Sequence, residues 1–167
     1  MFDQQNLELI EGELINKMGK KRPHVHAASL LLGWLMQVFG GRFVNSAAPI
    51  DVAPEDNPTN EPQPDIIVLK RTFTGFLTAV PSPRDLELVI EVADTSLAFD
   101  LTTKAALYAR AGVPEYWVLD LRGRRLVVHR DPREGSYRSI EAYSETESVA
   151  PLAAPDAPFP VGSAFRG

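Results

Sequence analysis

The sequence has 167 residues and contains no cysteine. This absence excludes disulfide bonds, thiolate nucleophiles, and zinc or iron–sulfur sites with cysteine ligands. Long hydrophobic runs are also missing, because the longest, from Ala27 to Phe39, is interrupted by polar residues and glycine and is too short to cross a bilayer. We therefore expect no membrane association, and the N-terminus lacks the pattern of a signal peptide, which predicts a cytoplasmic protein.

An excess of positive charge is the third absence, since 17 Lys and Arg residues against 22 Asp and Glu residues give a formal net charge of -5. This balance argues against a protein whose main task is to coat nucleic acid through a large basic surface. Two short basic clusters remain: Lys17, Lys20, Lys21 and Arg22, and Arg122, Arg124 and Arg125. Such clusters are commonly solvated loops, so charge alone neither supports nor excludes nucleic-acid binding.

The remaining composition is that of an ordinary folded domain, with 44% hydrophobic and 23% charged residues. We expect residues 1–167 to form a single domain, without internal repeats. The motifs of several hydrolase classes are missing, because the chain has no G-x-S-x-G, no H-E-x-x-H and no phosphate-binding P-loop.

The segment from Leu86 to Asp120 carries the clearest functional pattern. Leu86–Ala93 is rich in Val, Ile and Leu and lies between turn-forming residues, which predicts a mostly buried strand. Glu91 would then point to the same side as Val89 and Ala93. A carboxylate in that position loses its water and has to acquire a cation, a hydrogen-bond donor or a proton.

A helix is predicted after this strand, with Asp100 as its N-cap and Gly112 following its end. Steps of three and four residues along it define one stripe that would pack on the sheet: Leu101, Lys104, Ala105, Tyr108 and Ala111. Lys104 lies inside this stripe. A lone lysine there usually extends its ammonium group to solvent, but a nearby buried Glu91 favours an ion pair.

The other elements follow from turn signals and periodicity. In the first half of the chain the pattern predicts a hairpin around Gly12 in 7–18, a helix from Pro23 or His24 to Phe39, a strand within 42–52, an exposed loop over 54–64 and a buried strand at 66–69. In the second half it predicts an antiparallel meander of 115–120, 125–130 and 137–144, and a final edge formed by Leu152, Phe159 and Val161.

Several polar residues at these element ends are candidate site residues. Asp65 would stand at the mouth of a central strand, although an aspartate there more often just ends a turn. Glu8 and Glu13 are candidate acids, but each is more commonly a solvent-facing residue. His24 and His26 are two residues apart, so a helix would point them to different sides and they would not share a metal.

Two buried carboxylates with a neighbouring lysine match the needs of phosphodiester hydrolysis. One or two carboxylates typically hold Mg²⁺, and an ammonium group can orient the attacking water and stabilise the phosphoryl charge. A glycosidase would use Asp65 and Glu91 but would not need Lys104. The three residues together therefore favour a metal-dependent phosphodiesterase.

These motifs also occur in the order found in a known family. They are ELIEGELI near the start, His24 before a leucine-rich helix, Pro-Asp-Ile-Ile-Val from Pro64, DLELVIEVAD, Asp100 with Lys104, and YARAGVPEYWVLD ending at Asp120. Together they resemble the Uma2 family of restriction-type endonucleases, formerly DUF820, within the PD-(D/E)XK nuclease superfamily. The likeness covers nearly the whole chain.

The resemblance implies an α/β (α+β) fold with a restriction-endonuclease-like αβββαβ core. A mixed central sheet would be flanked by helices, with β-hairpins at the N-terminal and C-terminal ends. The motif Pro-Asp falls on Pro64 and Asp65, and the following acid falls on Glu91. Because Ala93 occupies the usual lysine position two residues later, the resemblance places the lysine on the next helix, at Lys104.

Accessory roles are implied for four further residues. Glu13 or Glu8 would correspond to the additional acidic residue of many relatives, and the sequence does not decide between them. His24 and Asp100 are the other two accessory candidates.

The resulting hypothesis is an Mg²⁺- or Mn²⁺-dependent endodeoxyribonuclease. Asp65, Glu91 and the backbone carbonyl of Ala93 would bind the metal, and Lys104 would position water for attack on a DNA phosphodiester. A homodimer is expected if both strands of a duplex are cut. The alternative is a catalytically inactive nucleic-acid or protein-interaction module on the same fold. Burial should raise the pKa of Glu91 and lower that of Lys104, while their attraction opposes both shifts.

Overall fold

The structure is a computed structural model that describes residues 7–17 and 21–166. Within these ranges, ten strands form three sheets. Strand β1 (Leu7–Ile10) pairs with β2 (Glu13–Asn16), and β9 (Ser148–Val149) pairs with β10 (Phe159–Pro160). The central sheet consists of β3 (Val44–Ser46), β4 (Ile66–Leu69), β5 (Leu86–Ala93), β6 (Glu115–Asp120), β7 (Arg125–Arg133) and β8 (Ser136–Ser144). The central strands follow chain order, and β5 and β6 pair in parallel while the other neighbours are antiparallel.

Helices cover both faces of the central sheet. Helix α1 (Arg22–Phe39) packs on one face, and a continuous helical stretch over 97–111 packs on the other. This second stretch consists of α2 (Leu97–Phe99), a π-helical turn (Asp100–Lys104) and α3 (Ala105–Ala111). Because α1 lies before β3 and the second helix connects β5 to β6, the predicted αβββαβ order and the mixed sheet flanked by helices are confirmed.

Burial on both faces explains the near-continuous apolar sequence of β5. Leu88, Ile90 and Val92 pack beneath α1, whereas Val89 and Ala93 pack beneath the second helix. A strand covered on two sides needs apolar residues at every position except where a polar group has a partner. Glu91 therefore lies on the face of the sheet that the second helix covers.

The hairpin turn and the end of the second helix form as predicted. Glu11 and Gly12 link β1 to β2 with φ angles of 51° and 81°, which is the left-handed backbone of a tight two-residue hairpin turn. Gly112 follows α3 with a φ of 77°. A residue with a Cβ would be strained at that position, so glycine ends the helix there.

The predicted start of the second helix is wrong. The helix begins at Leu97, three residues before the expected N-cap, and Asp100 lies within it. Asp100 instead accepts a hydrogen bond from Ser96 Oγ at 2.8 Å. Leu97 and Phe99 are partly buried against the core, so the chain is already helical before it reaches Asp100.

The segments between β2 and β4 are less regular than predicted. Only Val44–Ser46 of residues 42–52 forms a strand. The loop over 54–64 is not simply exposed, because Asn60 is 3% exposed and its side chain accepts a hydrogen bond from the Glu11 amide at 2.8 Å. This contact fixes the loop to the N-terminal hairpin, as does a β-bridge between Leu9 and Glu61.

The carboxyl-terminal part contains the predicted meander and a short terminal β pair. Strands β6, β7 and β8 are consecutive antiparallel neighbours, and β9 pairs with β10 through Val149 and Phe159. None of the helices in the described ranges combines the length and hydrophobicity needed to cross a bilayer.

A buried polar network joins the meander to the terminal segment. Glu115 is fully buried and accepts hydrogen bonds from Trp117 Nε1 (2.9 Å), Arg130 Nε (2.8 Å) and the Leu152 amide (2.9 Å). Since all three donors are polar groups that need a partner, Glu115 stabilises the end of the sheet together with the chain that covers it.

Replacing Glu115 with alanine is expected to lower the free energy of unfolding by about 3–5 kcal/mol, because Arg130 loses its buried counter-charge. Urea denaturation followed by circular dichroism measures this change. Arg133→Ala is a matched control, since its ion pair with Asp131 is exposed, and we expect a change within about 0.5 kcal/mol. Equal, small effects of both substitutions would contradict a stabilising role for Glu115.

Candidate functional site

Two buried carboxylates meet where β4 and β5 stop pairing. Ile66 pairs with Ile90, and one residue beyond this pair lie Asp65 and Glu91. The Asp65 amide donates to Glu91 Oε1 at 3.1 Å, and the Val92 amide donates to Asp65 Oδ2 at 2.8 Å. Each carboxylate thus accepts a backbone hydrogen bond from the other strand. These two hydrogen bonds take the place of the next backbone–backbone hydrogen bonds between the strands, and they hold the two side chains side by side.

Lys104 completes a cluster with them from the second helix. It is the last residue of the π-helical turn, its side chain is 1% exposed, and its ammonium group binds Glu91 Oε2. Tyr108, one turn later, donates its hydroxyl hydrogen to the same oxygen at 3.3 Å. The stripe position predicted for Lys104 therefore faces the sheet, and the ammonium group stays buried in an ion pair.

The N-terminal hairpin supplies the carboxylate on the other side of Lys104. Glu8 is 3% exposed and contacts Lys104 Nζ through both of its oxygens, at 2.8 and 2.9 Å. The Gln63 amide donates to Glu8 Oε2 at 3.0 Å. Glu13, by contrast, is exposed and lies outside the cluster. Of the two glutamates considered from the sequence, the structure brings Glu8 to Lys104.

His24 and Asp100 lie around the same cluster. His24 Nε2 is 3.4 Å from Asp65 Oδ2, and His24 Nδ1 is buried without a hydrogen-bond partner among the described residues. Asp100 is 4% exposed and lies at the wall of the cleft, where it is held by Ser96. Both accessory candidates are therefore adjacent to the carboxylates.

Sequence reasoning missed Lys17. Its ammonium group donates to the Gln63 carbonyl at 2.6 Å and lies 3.4 Å from Glu91 Oε1 and 3.6 Å from Asp65 Oδ1. The signal was the period of two along the hairpin, because Ile15 packs against the core and Lys17 follows it by two residues. Tyr108 was found as a core residue but its contact with Glu91 was also missed.

The electrostatics of the cluster follow from burial and opposite charges. Burial raises the pKa of Glu91, although Lys104 and Lys17 reduce the shift. Burial acts to lower the pKa of Lys104, but attraction to Glu91, Glu8 and Asp100 is stronger, so the net shift is upward. The predicted downward shift of the Lys104 pKa is therefore wrong, because the sequence did not reveal how many carboxylates surround the ammonium group.

The remaining shifts have the same causes. Burial acts to lower the pKa of Lys17, but the charges of Glu91, Asp65 and Glu8 raise it. Burial, together with repulsion by Glu91, raises the pKa of Asp100 to about 8. At neutral pH the cluster therefore contains two ammonium groups and a protonated Asp100.

A cleft of about 170 Å³ connects this cluster with solvent. Its mouth is lined by Lys21, Asp94, Thr95 and Phe99, and its floor by the cluster residues. It opens at the end of the sheet, between α1 and the second helix. Buried titratable groups at the base of an accessible cleft are typical of an active site.

Comparisons with known proteins identify the family and the fold. The family model described as Uma2, "Putative restriction endonuclease", matches residues 1–161. The chain belongs to the Uma2 family. The crystal structure of a putative nuclease belonging to DUF820 from Anabaena variabilis ATCC 29413 has a similar fold, with a TM-score of 0.76 and 17% sequence identity, over 99% of this chain and 93% of that chain. A search among curated proteins finds no match.

Membership of the Uma2 family confirms the resemblance inferred from the motifs, and the similar crystal structure confirms the nuclease-like fold. At this level of identity the structural likeness supports the fold alone. The roles of individual residues therefore depend on the geometry described above.

The oxygen atoms of this site are chemically suitable ligands for a divalent cation. Carboxylate oxygens are preferred ligands of Mg²⁺ and Mn²⁺, and Asp65 Oδ1 and Glu91 Oε1 both lie near one cation, the ammonium group of Lys17. Within residues 7–17 and 21–166, no three carboxylate or histidine side chains are already arranged as a metal site. The carbonyl of Ala93, the third ligand expected from the sequence, accepts the Leu121 amide hydrogen at 3.0 Å.

The arginines at the β6–β7 turn do not provide a free basic surface. Arg122, Arg124 and Arg125 pair with Asp94 (2.6 Å), Glu145 (2.7 Å) and Asp120 (2.9 Å), respectively. From the sequence alone, this cluster could either bind phosphate or be a solvated loop. In the structure each of its guanidinium groups has a carboxylate partner.

Stability in the absence of metal is expected to depend on pH through Asp100. Its pKa of about 8 exceeds the ordinary aspartate value, so between about pH 4 and pH 8 the folded protein keeps a proton that the unfolded chain releases. The free energy of unfolding therefore falls as pH rises through this window. We expect Asp100→Asn to remove this contribution, so that its stability relative to wild type increases by at least ~1 kcal/mol from pH 5 to pH 8.

Urea denaturation in EDTA at the two pH values measures the difference. The comparison is between pH slopes, so a constant offset caused by the substitution itself does not affect it. The same pH slope in both proteins would show that Asp100 is ionised at neutral pH.

Proposed function

We propose that this Uma2-family chain is a Mg²⁺- or Mn²⁺-dependent endonuclease that hydrolyses DNA phosphodiester bonds. The observation that carries the proposal is the convergence of three side chains at the base of one cleft: Asp65 immediately before β4, Glu91 on β5 and Lys104 on the second helix. Two carboxylates and a lysine are the groups that metal-assisted phosphodiester hydrolysis requires. The family description supports a nuclease activity.

The cation would be held by Asp65, Glu91 and the carbonyl of Ala93, and when bound it would supply Lewis-acid stabilisation of the phosphate charge. Lys104 acts as a hydrogen-bond donor. Its raised pKa keeps the amine protonated at neutral pH, so it orients the attacking water and stabilises negative charge instead of accepting a proton. Tyr108 fixes the Glu91 oxygen that Lys104 contacts.

The accessory residues position these groups. Glu8 binds Lys104 through both oxygens and restricts its ammonium group, and we therefore propose Glu8 over Glu13 as the additional acid. His24 limits the rotation of Asp65 from the α1 side. Asp100, which is protonated at neutral pH, adds a donor at the cleft wall.

The wider organisation of the activity is also proposed. Residues 1–167 would act as one nuclease domain with a single site. Two copies in a symmetric homodimer would cut the two strands of a duplex. The cytoplasmic location of this activity stays a prediction.

The substrate class is tested with end-labelled duplex DNA, single-stranded DNA and RNA of one sequence, each incubated with Mg²⁺ or Mn²⁺ and again with EDTA. We expect metal-dependent internal cleavage of duplex DNA by wild type and by Glu13→Gln, and none by Asp65→Asn. Glu13→Gln is the matched control because it removes an exposed carboxylate outside the cluster. Cleavage of RNA and not of DNA would support a nuclease activity with RNA as the substrate.

The alternative is an inactive nucleic-acid or protein-interaction module on the same fold. The net charge of -5 and the paired arginines of the β6–β7 turn favour it, because neither provides a basic surface for DNA. Such a module has no need of a metal ion. Calorimetric titration with Mn²⁺ separates the two functions, since binding that disappears in Asp65→Asn supports the nuclease and its absence in wild type supports the module.

A further inference from the structure

Lys17 lies where a cation bridges the two carboxylates. Its ammonium group is 3.4 Å from Glu91 Oε1, 3.6 Å from Asp65 Oδ1 and 3.9 Å from Glu8 Oε2, and it donates to the Gln63 carbonyl at 2.6 Å. These are four oxygen atoms from three carboxylates and one carbonyl. An oxygen-only surrounding of this kind is also the preferred surrounding of Mg²⁺ and Mn²⁺.

The two lysines of the cluster bind opposite oxygens of Glu91. Lys104 contacts Oε2, which also accepts the Tyr108 hydroxyl, whereas Lys17 contacts Oε1, the oxygen next to Asp65. Lys104 comes from a helix, is 1% exposed and is held by both oxygens of Glu8. Lys17 follows the last residue of β2, and its side chain is 15% exposed on the cleft side. Lys17 is thus the one of the two that can leave without disturbing the helix.

Charge balance points in the same direction. Among the residues that the structure describes, Glu8, Asp65 and Glu91 face Lys104 and Lys17, so removing the Lys17 ammonium leaves three carboxylates and one ammonium group. The two unbalanced negative charges match the charge of a divalent cation. Metal and Lys17 cannot both occupy the space between Asp65 and Glu91, because like charges at that separation repel strongly.

We propose that the Lys17 ammonium group occupies the cation-binding position between Asp65 and Glu91 in the metal-free protein, and that a divalent metal binds there only by displacing it. The metal-free protein is then held in an inhibited state by its own N-terminal hairpin. The apparent metal affinity is reduced by the fraction of molecules in which Lys17 occupies the pair. This regulation rests on the proposed function of the same site, since it requires Asp65 and Glu91 to be metal ligands.

The first test is calorimetric titration of wild type, Lys17→Met and Lys21→Met with Mn²⁺. Methionine keeps the apolar stem of Lys17 but removes its charge, and Lys21 is the matched control because it is an exposed lysine at the mouth of the same cleft. We expect the Mn²⁺ dissociation constant to fall at least about 10-fold in Lys17→Met and to stay within about 2-fold of wild type in Lys21→Met. Equal or weaker Mn²⁺ binding by Lys17→Met overturns the proposal.

The second test uses the wild-type protein and so remains valid if Lys17→Met does not fold. Lysines are labelled with an amine-reactive ester in EDTA and in saturating Mn²⁺, and labelling of each residue is followed by tandem mass spectrometry. Lys17 labelling is expected to rise several-fold with Mn²⁺, because the amine leaves its carboxylate partners, while exposed Lys70 stays constant. No rise at Lys17 while Mn²⁺ is bound contradicts displacement.

Asp65→Asn distinguishes failure of this proposal from failure of the proposed function. If wild type binds Mn²⁺ through Asp65 but Lys17 neither competes nor becomes reactive, only the displacement is wrong. If neither wild type nor Lys17→Met binds Mn²⁺ in an Asp65-dependent manner, both are wrong. If Mn²⁺ displaces Lys17 but no nucleic acid is cut, the displacement stands and the nuclease activity does not.

Discussion

Replacing Lys104 with methionine is expected to reduce metal-dependent DNA cleavage at least ~10²-fold, because the substitution removes the donor that stabilises the developing phosphate charge. The apolar stem of methionine fills most of the same space, so the neighbouring core residues keep their packing. Single-turnover cleavage of a labelled duplex at saturating Mn²⁺ isolates the chemical step. Lys70→Met, which removes an exposed lysine, is the control and should cleave at the wild-type rate.

The same substitution also tests the burial of the cluster. Without the Lys104 ammonium, Glu8 loses its partner at 2.8 Å and Glu91 loses one of its two lysines. Leaving a buried charge without its partner typically costs about 3–5 kcal/mol, so urea denaturation in EDTA should show a clear loss of stability. Activity must therefore be measured at a temperature where the variant is folded. A folded Lys104→Met with wild-type cleavage would remove Lys104 from the mechanism.

Glu91→Gln is expected to reduce cleavage at least as strongly as Lys104→Met, but through the metal. The amide oxygen of glutamine is a weaker metal ligand than a carboxylate. Its NH2 group would also place hydrogen-bond donors against either the Lys104 ammonium group or the metal, and neither of these can accept them. We expect Mn²⁺ binding to weaken by at least ~100-fold and cleavage to fall by ~10³-fold at a fixed Mn²⁺ concentration. Raising the Mn²⁺ concentration should restore part of the activity of Glu91→Gln and none of that of Lys104→Met.

The control for this substitution lies on the same strand. Glu87→Gln changes the same chemical group on β5, but Glu87 is half-buried and four residues away from the cluster. It should bind Mn²⁺ and cut DNA like wild type. Loss of Mn²⁺ binding in both variants would indicate a general effect of charge on β5, and normal Mn²⁺ binding by Glu91→Gln would exclude Glu91 as a ligand.

The sequence predicted those parts of the fold that local patterns determine. The apolar run of β5, the hairpin turn at Gly12 and the helix end at Gly112 all depend on residues within a few positions of one another, and all were confirmed. The face of Glu91 followed from strand alternation alone. The position of Lys104 followed from helical spacing, because the ridge that contains Tyr108 has to pack on the sheet.

The parts that were missed depend on contacts between distant segments. Lys17 reaches Glu91, 74 residues away. The period of two along the hairpin places Lys17 on the same face as Ile15, but it does not show which distant segment that face contacts. The upward shift of the Lys104 pKa depends in part on a contact of the same kind, because Glu8, which adds to the attraction by Glu91, is 96 residues away. The π-helical turn that contains Asp100 and Lys104 adds one residue to the local helical repeat, which regular helical spacing does not anticipate.

Nicking of supercoiled plasmid by wild type, Asp65→Asn and Lys104→Met tests the central claim most directly, with Mg²⁺ or Mn²⁺ and again with EDTA, on proteins purified in parallel and shown to be folded. We predict that wild type converts the plasmid to nicked and linear forms with metal and leaves it intact in EDTA, whereas neither variant cuts it. Equal nicking by all three proteins, or none by a wild type that binds Mn²⁺ through Asp65, would contradict a nuclease site built from Asp65, Glu91 and Lys104.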